Sequence, residues 1–156
     1  MLNLLCLVVV QLHGDGSRAA FPALVKENRI IYVLHVKENR DLLNQISDEE
    51  CSLADWVLVD SACKGWQVMR SFLQFLSLNF IFGKGFNWAQ FTLPPIRSKH
   101  GWLLAGGINP GSVCEALSIL KPNGVDVSSG ICASDGIQKD QSQISSFMSA
   151  VRSVHY

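Results

Sequence analysis

The sequence predicts an α/β protein built on a parallel sheet. Five short runs rich in Val, Ile and Leu recur along the 156 residues, and helical patterns separate them. Within each run the apolar residues are nearly continuous, which is typical of strands that are covered on both faces. Because helices alternate with these strands, we expect successive (βα) units in a single domain, 1–156.

The predicted strands, in chain order, are LVVVQLH (7–13), IIYVLHV (30–36), DWVLVD (55–60), WLLAGG (102–107) and GVDVSSG (124–130). The first run is β-branched and is closed by a Gly-Asp-Gly turn. The helix expected after it covers 17–28, with Ser17 as N-cap and Pro22 within its early turns. The second strand is followed by a predicted polar-faced helix around ENRDLLNQI (38–46).

Two further helices are predicted from apolar residues that recur at helical spacing. Helix 111–120 carries four of them on one face: Val113, Ala116, Leu117 and Leu120. The last helix, 140–154, carries Ile144, Phe147, Met148 and Val151 at the same spacing. Each helix therefore has an apolar face to pack against the sheet.

Composition and charge exclude several classes of protein. The chain is 48% apolar and 17% charged, which is ordinary for a globular core. Thirteen basic and thirteen acidic residues cancel, and no basic cluster is present that would bind nucleic acid or an anionic membrane. The apolar stretch 68–82 is interrupted by Arg70 and polar residues, so we expect no membrane span and a soluble protein.

The cysteines and histidines do not predict a metal site. Five cysteines form no CxxC pair, which indicates a reducing compartment and no structural zinc. The four histidines, His13, His35, His100 and His155, are scattered along the chain. From the sequence we therefore expect no bound metal.

Polar residues and glycines cluster where the predicted strands end. They are His13, Asp60, Gly106, Gly107, Ser128, Ser129 and Gly130. In parallel (βα) proteins the functional groups lie at this carboxyl edge of the sheet. The paired glycines of LLAGGINPGS would let backbone N–H groups approach a phosphate. The alternative is that they only make a tight turn between strand and helix.

Five motifs together carry a family resemblance. VVVQLHGD, WVLVDS, GKGFNW, LLAGGINPGSVCEAL and GVDVSSGI resemble, in this order, the phosphoribosylanthranilate isomerases of tryptophan biosynthesis. The resemblance implies an eight-stranded (βα) TIM barrel, of which this chain holds strands four to eight, with the first three expected to be absent. The tail DGIQKDQSQISSFMSAVRSVHY resembles the plant branch, whose enzymes work in the plastid, although we expect no transit peptide in this chain.

The resemblance also implies a reaction and a site. The family carries out an Amadori rearrangement of a phosphoribosylated anthranilate without a metal or organic cofactor, using one acid and one base. Asp60 matches the general acid, with a helix or loop cap as the alternative role for this residue. The phosphate would be held near Gly106, Gly107, Ser129 and Gly130, and the substrate would be lined by His13, Asp126 and Ser128.

The chain departs from the family pattern at the base. The family base is a cysteine in a Lys-x-Cys-Gly motif, and no such motif occurs in these 156 residues. Cys6 precedes the first strand and is expected near the opposite edge, so it is no substitute. The arginine that receives the anthranilate carboxylate is missing as well. We therefore expect impaired activity; the alternative is a non-catalytic phosphosugar-binding or barrel-completing fragment.

The segment 63–82 is a second departure, because it stands where the family has a short glycine-rich loop. Its Phe, Leu, Ser, Ile and Asn content and the Cys-Lys pair at its start suggest translated intron, with an evolved lid as the alternative. Five strands cannot close an eight-stranded barrel. Open strand edges are therefore expected, and they favour self-association.

Overall fold

The computed structural model describes residues 8–37, 41–61 and 95–154. Five strands form one sheet: β1 (Val9–Leu12), β2 (Arg29–Val36), β3 (Trp56–Ser61), β4 (Trp102–Ala105) and β5 (Gly124–Val125). Their order in the sheet follows the chain, β1-β2-β3-β4-β5. Every neighbouring pair is parallel, which confirms the predicted α/β class and all five strands.

The helices of the described residues are α1 (Asp15–Ala19), α2 (Phe21–Leu24), α3 (Asp48–Leu53), α4 (Val113–Leu120) and α5 (Gln141–Ser153). A 3-10 turn, Ser129–Ile131, replaces the end of the predicted fifth strand, which stops at Val125. The helices of the second half agree with the predicted ones to within two residues at each end.

The single helix predicted over 17–28 is wrong, because two short helices stand there. Gly14 is the N-cap of α1, and the Ser17 hydroxyl accepts the Gly14 N–H at 3.0 Å and donates to the Gly14 carbonyl at 2.7 Å. Pro22 lies in the first turn of α2. Proline has no N–H to continue the hydrogen-bond ladder of α1, so the chain must start a new helix.

The helix predicted over 38–46 is also wrong for the residues described there. Leu42 forms an isolated antiparallel bridge with Val36, and the Leu43 N–H donates to the His35 carbonyl at 2.7 Å. Residues 41–46 thus lie against the end of β2 and form no helical turn. The helix begins later, where Ser47 and Glu50 form a capping box at the start of α3.

The two faces of the sheet carry hydrophobic clusters of different size. The larger core lies on the face that carries Leu34, Val59 and Leu104, against the helices. A smaller cluster of Val33, Leu58 and Ala105 lies on the other face. Side chains alternate along a strand, so His35 and Asp60 share the face of this smaller cluster.

In the described part of the chain, no helix has the length and apolar character that crossing a membrane requires. Several sequence predictions fall on residues outside the described ranges. These are the segment 63–82, the GKGFNW motif at 83–88, and Cys6.

Candidate active site

Three side chains converge at the carboxyl edge of the sheet. His35 is the register partner of Asp60 across β2 and β3, and His13 follows the end of β1 by one residue. The Asp60 Oδ2 atom lies 3.4 Å from His13 Nε2 and 4.0 Å from His35 Nδ1. The Asp60 side chain is 22% exposed, so solvent or a ligand reaches it.

The two histidines are also joined to each other. His35 Nε2 donates to the His13 carbonyl oxygen at 2.8 Å, and the two rings meet edge to face at 4.7 Å between centroids. Arg18 donates to the same carbonyl at 2.9 Å. This corrects the view that the histidines are scattered, since two of the four lie side by side.

Sequence reasoning missed His35 as a site residue. A signal was present in the sequence. His35 is the penultimate residue of β2, and Asp60 is the penultimate residue of β3. In a parallel sheet such residues lie at the same edge. What the sequence did not supply was the register that sets the two side chains opposite each other.

Gly106 and Gly107 form the turn that follows β4. Their φ angles are +84° and +67°, a left-handed conformation that residues with a Cβ rarely adopt. Two consecutive residues of this kind turn the chain sharply away from the sheet. The tight-turn role of these glycines therefore holds, and it is compatible with a ligand role for their N–H groups.

A depression of about 840 Å³ opens beside this turn. Three of the predicted phosphate-binding residues, Gly107, Ser129 and Gly130, line it together, whereas Gly106 is not among its lining residues. A Cβ on Gly130 would lie 1.8 Å from the Ile108 carbonyl oxygen. The loops after β4 and β5 are thus packed backbone to backbone, which only glycine allows at this position.

The backbone donors of the two loops are partly used within the loops. In the first loop, Gly111 N–H donates to the Asn109 side chain at 2.8 Å. In the second, Cys132 N–H donates to the Ser129 carbonyl at 3.1 Å. The first N–H groups of a helical turn have no acceptor within the turn. The N–H groups of Ser129 and Gly130 occupy those first positions.

The predicted substrate-lining residues Ser128 and Asp126 are both exposed. The Ser128 carbonyl accepts from Lys139 Nζ at 2.7 Å, which places an ammonium group, missed by sequence reasoning, next to the depression. Asp126 lies between Val125 and Val127, both of which pack against the larger core. Its side chain is therefore on the face that also carries Asp60.

Asp140 lies on the rim of the depression and is the N-cap of α5. Its carboxylate accepts from the Ser142 hydroxyl and from the backbone N–H groups of Ser142 and Gln143. These hydrogen bonds, the hydroxyl first, hold the pKa of Asp140 below its usual range. The charge of Asp140 is thus engaged in capping the helix.

Comparison with known proteins places the chain in a family. Residues 1–150 match the family model described as N-(5'phosphoribosyl)anthranilate (PRA) isomerase. The N-(5'-phosphoribosyl)anthranilate isomerase 1, chloroplastic, of Arabidopsis thaliana is 60% identical over 150 residues, which are 96% of this chain and 49% of that relative. The chain thus spans about half the length of the curated relatives it matches.

Solved structures share the fold. The crystal structure of phosphoribosyl anthranilate isomerase from Thermotoga maritima matches 94% of this chain and 62% of its own, with a TM-score of 0.61 and 23% identity. A phosphoribosyl anthranilate isomerase in complex with reduced 1-(o-carboxyphenylamino)-1-deoxyribulose 5-phosphate matches 94% of this chain and 60% of its own, with a TM-score of 0.53 and 20% identity.

Proposed function

The chain belongs to the N-(5'phosphoribosyl)anthranilate (PRA) isomerase family, and from this premise we propose that its carboxyl edge binds a phosphoribosylated anthranilate and supplies the acid of an Amadori rearrangement. One observation carries the proposal. The glycine loops after β4 and β5 and the carboxylate of Asp60 lie at the same edge of one parallel sheet.

The phosphate end of the substrate fits the depression between the two loops. Gly107, Ser129 and Gly130 line the part between the loops, where an anion would meet main chain. The carboxylates of Asp135 and Asp140 also line the depression, and each accepts a nearby backbone N–H group. The close packing of Gly130 on the Ile108 carbonyl holds the two loops together. Lys139 adds a positive charge nearby, which favours an anionic ligand. Gly106, beside Gly107 in the turn, keeps its predicted role as a neighbouring donor.

Asp60 is the proposed general acid. In the rearrangement an acid protonates the ring oxygen of the ribose, and the ring opens as the C–O bond breaks. The partial exposure of Asp60 lets a bound sugar reach its carboxyl group. The two neighbouring imidazole rings limit the side from which the sugar can approach. His13 and Asp126 border the same site and contact the substrate in this proposal.

The base is the part of the reaction that these 156 residues do not show. None of the five cysteines stands in a Lys-x-Cys-Gly sequence, which is the family's base motif by the resemblance described above. Proton transfer by a positioned group contributes about 10²–10⁴-fold to a rate. We propose that this chain binds the phosphosugar and turns it over slowly or not at all.

Binding and turnover are tested separately. The binding probe is reduced 1-(o-carboxyphenylamino)-1-deoxyribulose 5-phosphate, and the signal is a rise in the melting temperature of the 156-residue chain. A ligand at a hundredfold excess over its Kd stabilises a folded protein by about 2.7 kcal/mol. Turnover is measured as loss of phosphoribosylanthranilate fluorescence.

Gly130→Ala is expected to abolish the rise, because its Cβ would force the two loops apart. Gly16→Ala is the matched control, since a Cβ at Gly16 meets nothing within 4 Å. If the probe raised the melting temperatures of Gly130→Ala and the wild type equally, the depression would not be the phosphate site. Turnover at the rate of a full-length relative would refute the proposal of slow chemistry.

The strand edges support a proposal about association. Among the described residues, β1 and β5 lie at the two ends of the sheet, and Val8 and Val9 beside the outer edge are about half exposed. We propose that the chain self-associates or completes another barrel through these edges. Sedimentation of the purified chain across concentrations tests this, and a monomer at all concentrations, alone and with a full-length relative, contradicts it.

The chloroplastic relatives support a plastid location for this chain. Fractionation of source cells with an antibody against residues 95–154 tests it, and a signal confined to the cytosol contradicts it.

The proposal that 63–82 is translated intron, with an evolved lid as the alternative, is decided by the transcript. A mature message that contains these codons excludes the intron.

A further inference from the structure

We propose that His13, His35 and Asp60 form a binding site for a divalent transition-metal ion of the Zn²⁺ class. This goes beyond the proposed isomerase function, which needs no metal. Each of the three residues offers one ligand atom, and these atoms all lie within 4.8 Å of one another. Among the described residues, these three are the group of His, Cys, Asp or Glu side chains whose ligand atoms lie close enough together to share one metal ion.

The spacing is close to what a metal ion requires. Ligand atoms at about 2.0–2.2 Å from Zn²⁺ in a tetrahedral site lie about 3.3 Å from one another. The His13 Nε2 to Asp60 Oδ2 distance is already 3.4 Å, and the His35 Nδ1 to Asp60 Oδ2 distance is 4.0 Å. The His13 side chain is 61% exposed, so rotation of its ring can close the remaining gap.

The hydrogen bond of His35 prepares its other nitrogen for a metal. A carbonyl oxygen only accepts, so His35 Nε2 carries the proton that the His13 carbonyl receives at 2.8 Å. In the neutral ring Nδ1 then has a free lone pair, and this atom faces Asp60. A metal-binding histidine characteristically donates its second N–H to a backbone carbonyl in this way, because the bond fixes the tautomer and the ring orientation.

The surrounding charge favours a cation at this position. A lone pair on His35 Nδ1 and the Asp60 carboxylate are both acceptors, and they lie 4.0 Å apart. Arg18, whose guanidinium reaches the same His13 carbonyl, is ion-paired with Asp15, which offsets its charge. A divalent ion between the acceptors replaces their mutual repulsion with coordination.

The donor set indicates the class of ion and the kind of site. Two imidazoles and one carboxylate suit Zn²⁺, Co²⁺, Ni²⁺ or Fe²⁺, whereas Mg²⁺ and Ca²⁺ prefer oxygen ligands alone. Three protein ligands leave at least one position for water or a ligand oxygen. A metal-bound Asp60 cannot also deliver a proton, so occupancy by metal and use of Asp60 as an acid exclude each other.

The test is titration of the 156-residue chain with Co²⁺ alone, followed by its visible absorption and by calorimetry, with Zn²⁺ as competitor. We expect saturable binding of one ion with the absorption of a nitrogen- and oxygen-ligated site. His35→Ala and His13→Ala should each weaken binding at least about tenfold, as loss of a group that supports a metal site commonly does. His100→Ala is the matched control, because His100 lies beside a different aspartate, with its Nε2 3.8 Å from Asp55 Oδ1.

Two results overturn the proposal. One is binding of unchanged affinity in His13→Ala, a variant at an exposed position where folding is not at stake. The other is a thiolate-to-cobalt charge-transfer band, which would assign the ion to the cysteines instead. Circular dichroism of His35→Ala shows whether that variant is folded, and His13→Ala decides the question if it is not.

Discussion

Two aspartates at opposite ends of β3 show how differently the two edges of this sheet are built. Asp55, at the amino edge, is buried, and its Oδ2 accepts the Ile30 N–H at 2.8 Å. Lys99 and His100 each place a nitrogen 3.8 Å from its carboxylate. Asp60, at the carboxyl edge, faces two imidazoles at 3.4 and 4.0 Å and is partly open to solvent.

The comparison separates a structural carboxylate, Asp55, from Asp60, the carboxylate proposed as the acid. Asp55 satisfies a backbone donor that burial would otherwise leave without a partner, and it ties the start of β2 to the start of β3. Asp60 lies at the edge where parallel (βα) proteins bind ligands, and its geometry leaves room for a proton, a sugar or a metal ion. Burial and hydrogen bonding thus give Asp55 a structural role, and the more open position of Asp60 supports its proposed role as the acid.

The largest expected effect tests this assignment through stability. Asp55→Ala leaves the buried Ile30 N–H without its acceptor and the Lys99 ammonium group without its partner, which should cost about 3 kcal/mol. Asp60→Ala, at a more exposed position, should cost less than about 1 kcal/mol. Urea unfolding of the two variants measures both values.

Equal losses of stability in the two variants would break the comparison. Asp55→Asn refines it, because the amide oxygen of Asn can still accept the Ile30 N–H. The free energy of unfolding of this variant should therefore lie between those of Asp55→Ala and the wild type.

A smaller effect is expected at two glycines of left-handed conformation, one at each edge. Gly101 at the amino edge has φ +86° and Gly107 at the carboxyl edge has φ +67°. Alanine at either position should lower stability by about 1–2 kcal/mol, because a Cβ is strained in this conformation. At Gly101 the Cβ also meets the Asn123 side chain, whose oxygen accepts the Trp102 N–H.

The two glycine variants should differ in ligand binding. Gly107→Ala should weaken binding of the phosphorylated probe, since Gly107 lines the depression. Gly101→Ala should leave that affinity unchanged, and calorimetry below the melting temperature of both variants compares them. Weaker binding by Gly101→Ala to the same extent would show that the edges do not act separately.

The smallest effect concerns pH and the third aspartate, Asp140. Hydrogen bonds from Ser142 and Gln143 lower its pKa in the folded chain. A carboxylate with a lowered folded pKa stabilises the fold above its unfolded pKa, near 4, and this contribution is lost as pH falls through the folded value. The protection of the first-turn amides of α5 against exchange, measured relative to their intrinsic exchange rates at each pH, should therefore fall in acid, and less so in Asp140→Asn.

The same exchange behaviour in Asp140→Asn and the wild type would show that the cap is not coupled to protonation. Exchange in β3, away from the cap, provides the internal reference.

The strands were predictable from the sequence, whereas parts of the connections were not. Runs such as IIYVLHV are buried on both faces, so their apolar content alone marks them. The stretch 41–46 carried a helical pattern, yet Leu42 bridges to Val36 and Asn44 bonds to the β2 backbone. Local propensity favoured a helix there, and contacts with the sheet edge outweighed it.

The sequence predicted the type of candidate site but only some of its residues. Gly107, Ser129 and Gly130 were expected together from their motifs and do line one depression. His35 and Lys139 were not expected: the position of His35 near the end of its strand was a signal without the register that gives it meaning, and nothing in the local sequence marks Lys139 as ligand-facing. Both acquire their position from groups distant in the chain, the His13 carbonyl for His35 and the Ser128 carbonyl for Lys139.

The sequence by itself determined the elements that side-chain chemistry specifies locally. These are the buried strands, the glycine turn after β4, and the carboxylate and histidine that end their strands. Only the tertiary structure decided that His13, 22 residues before His35, would share one site with it and with Asp60. The reason is register: parallel pairing fixes which residues lie opposite, and a slip of one residue would move His35 to the other face.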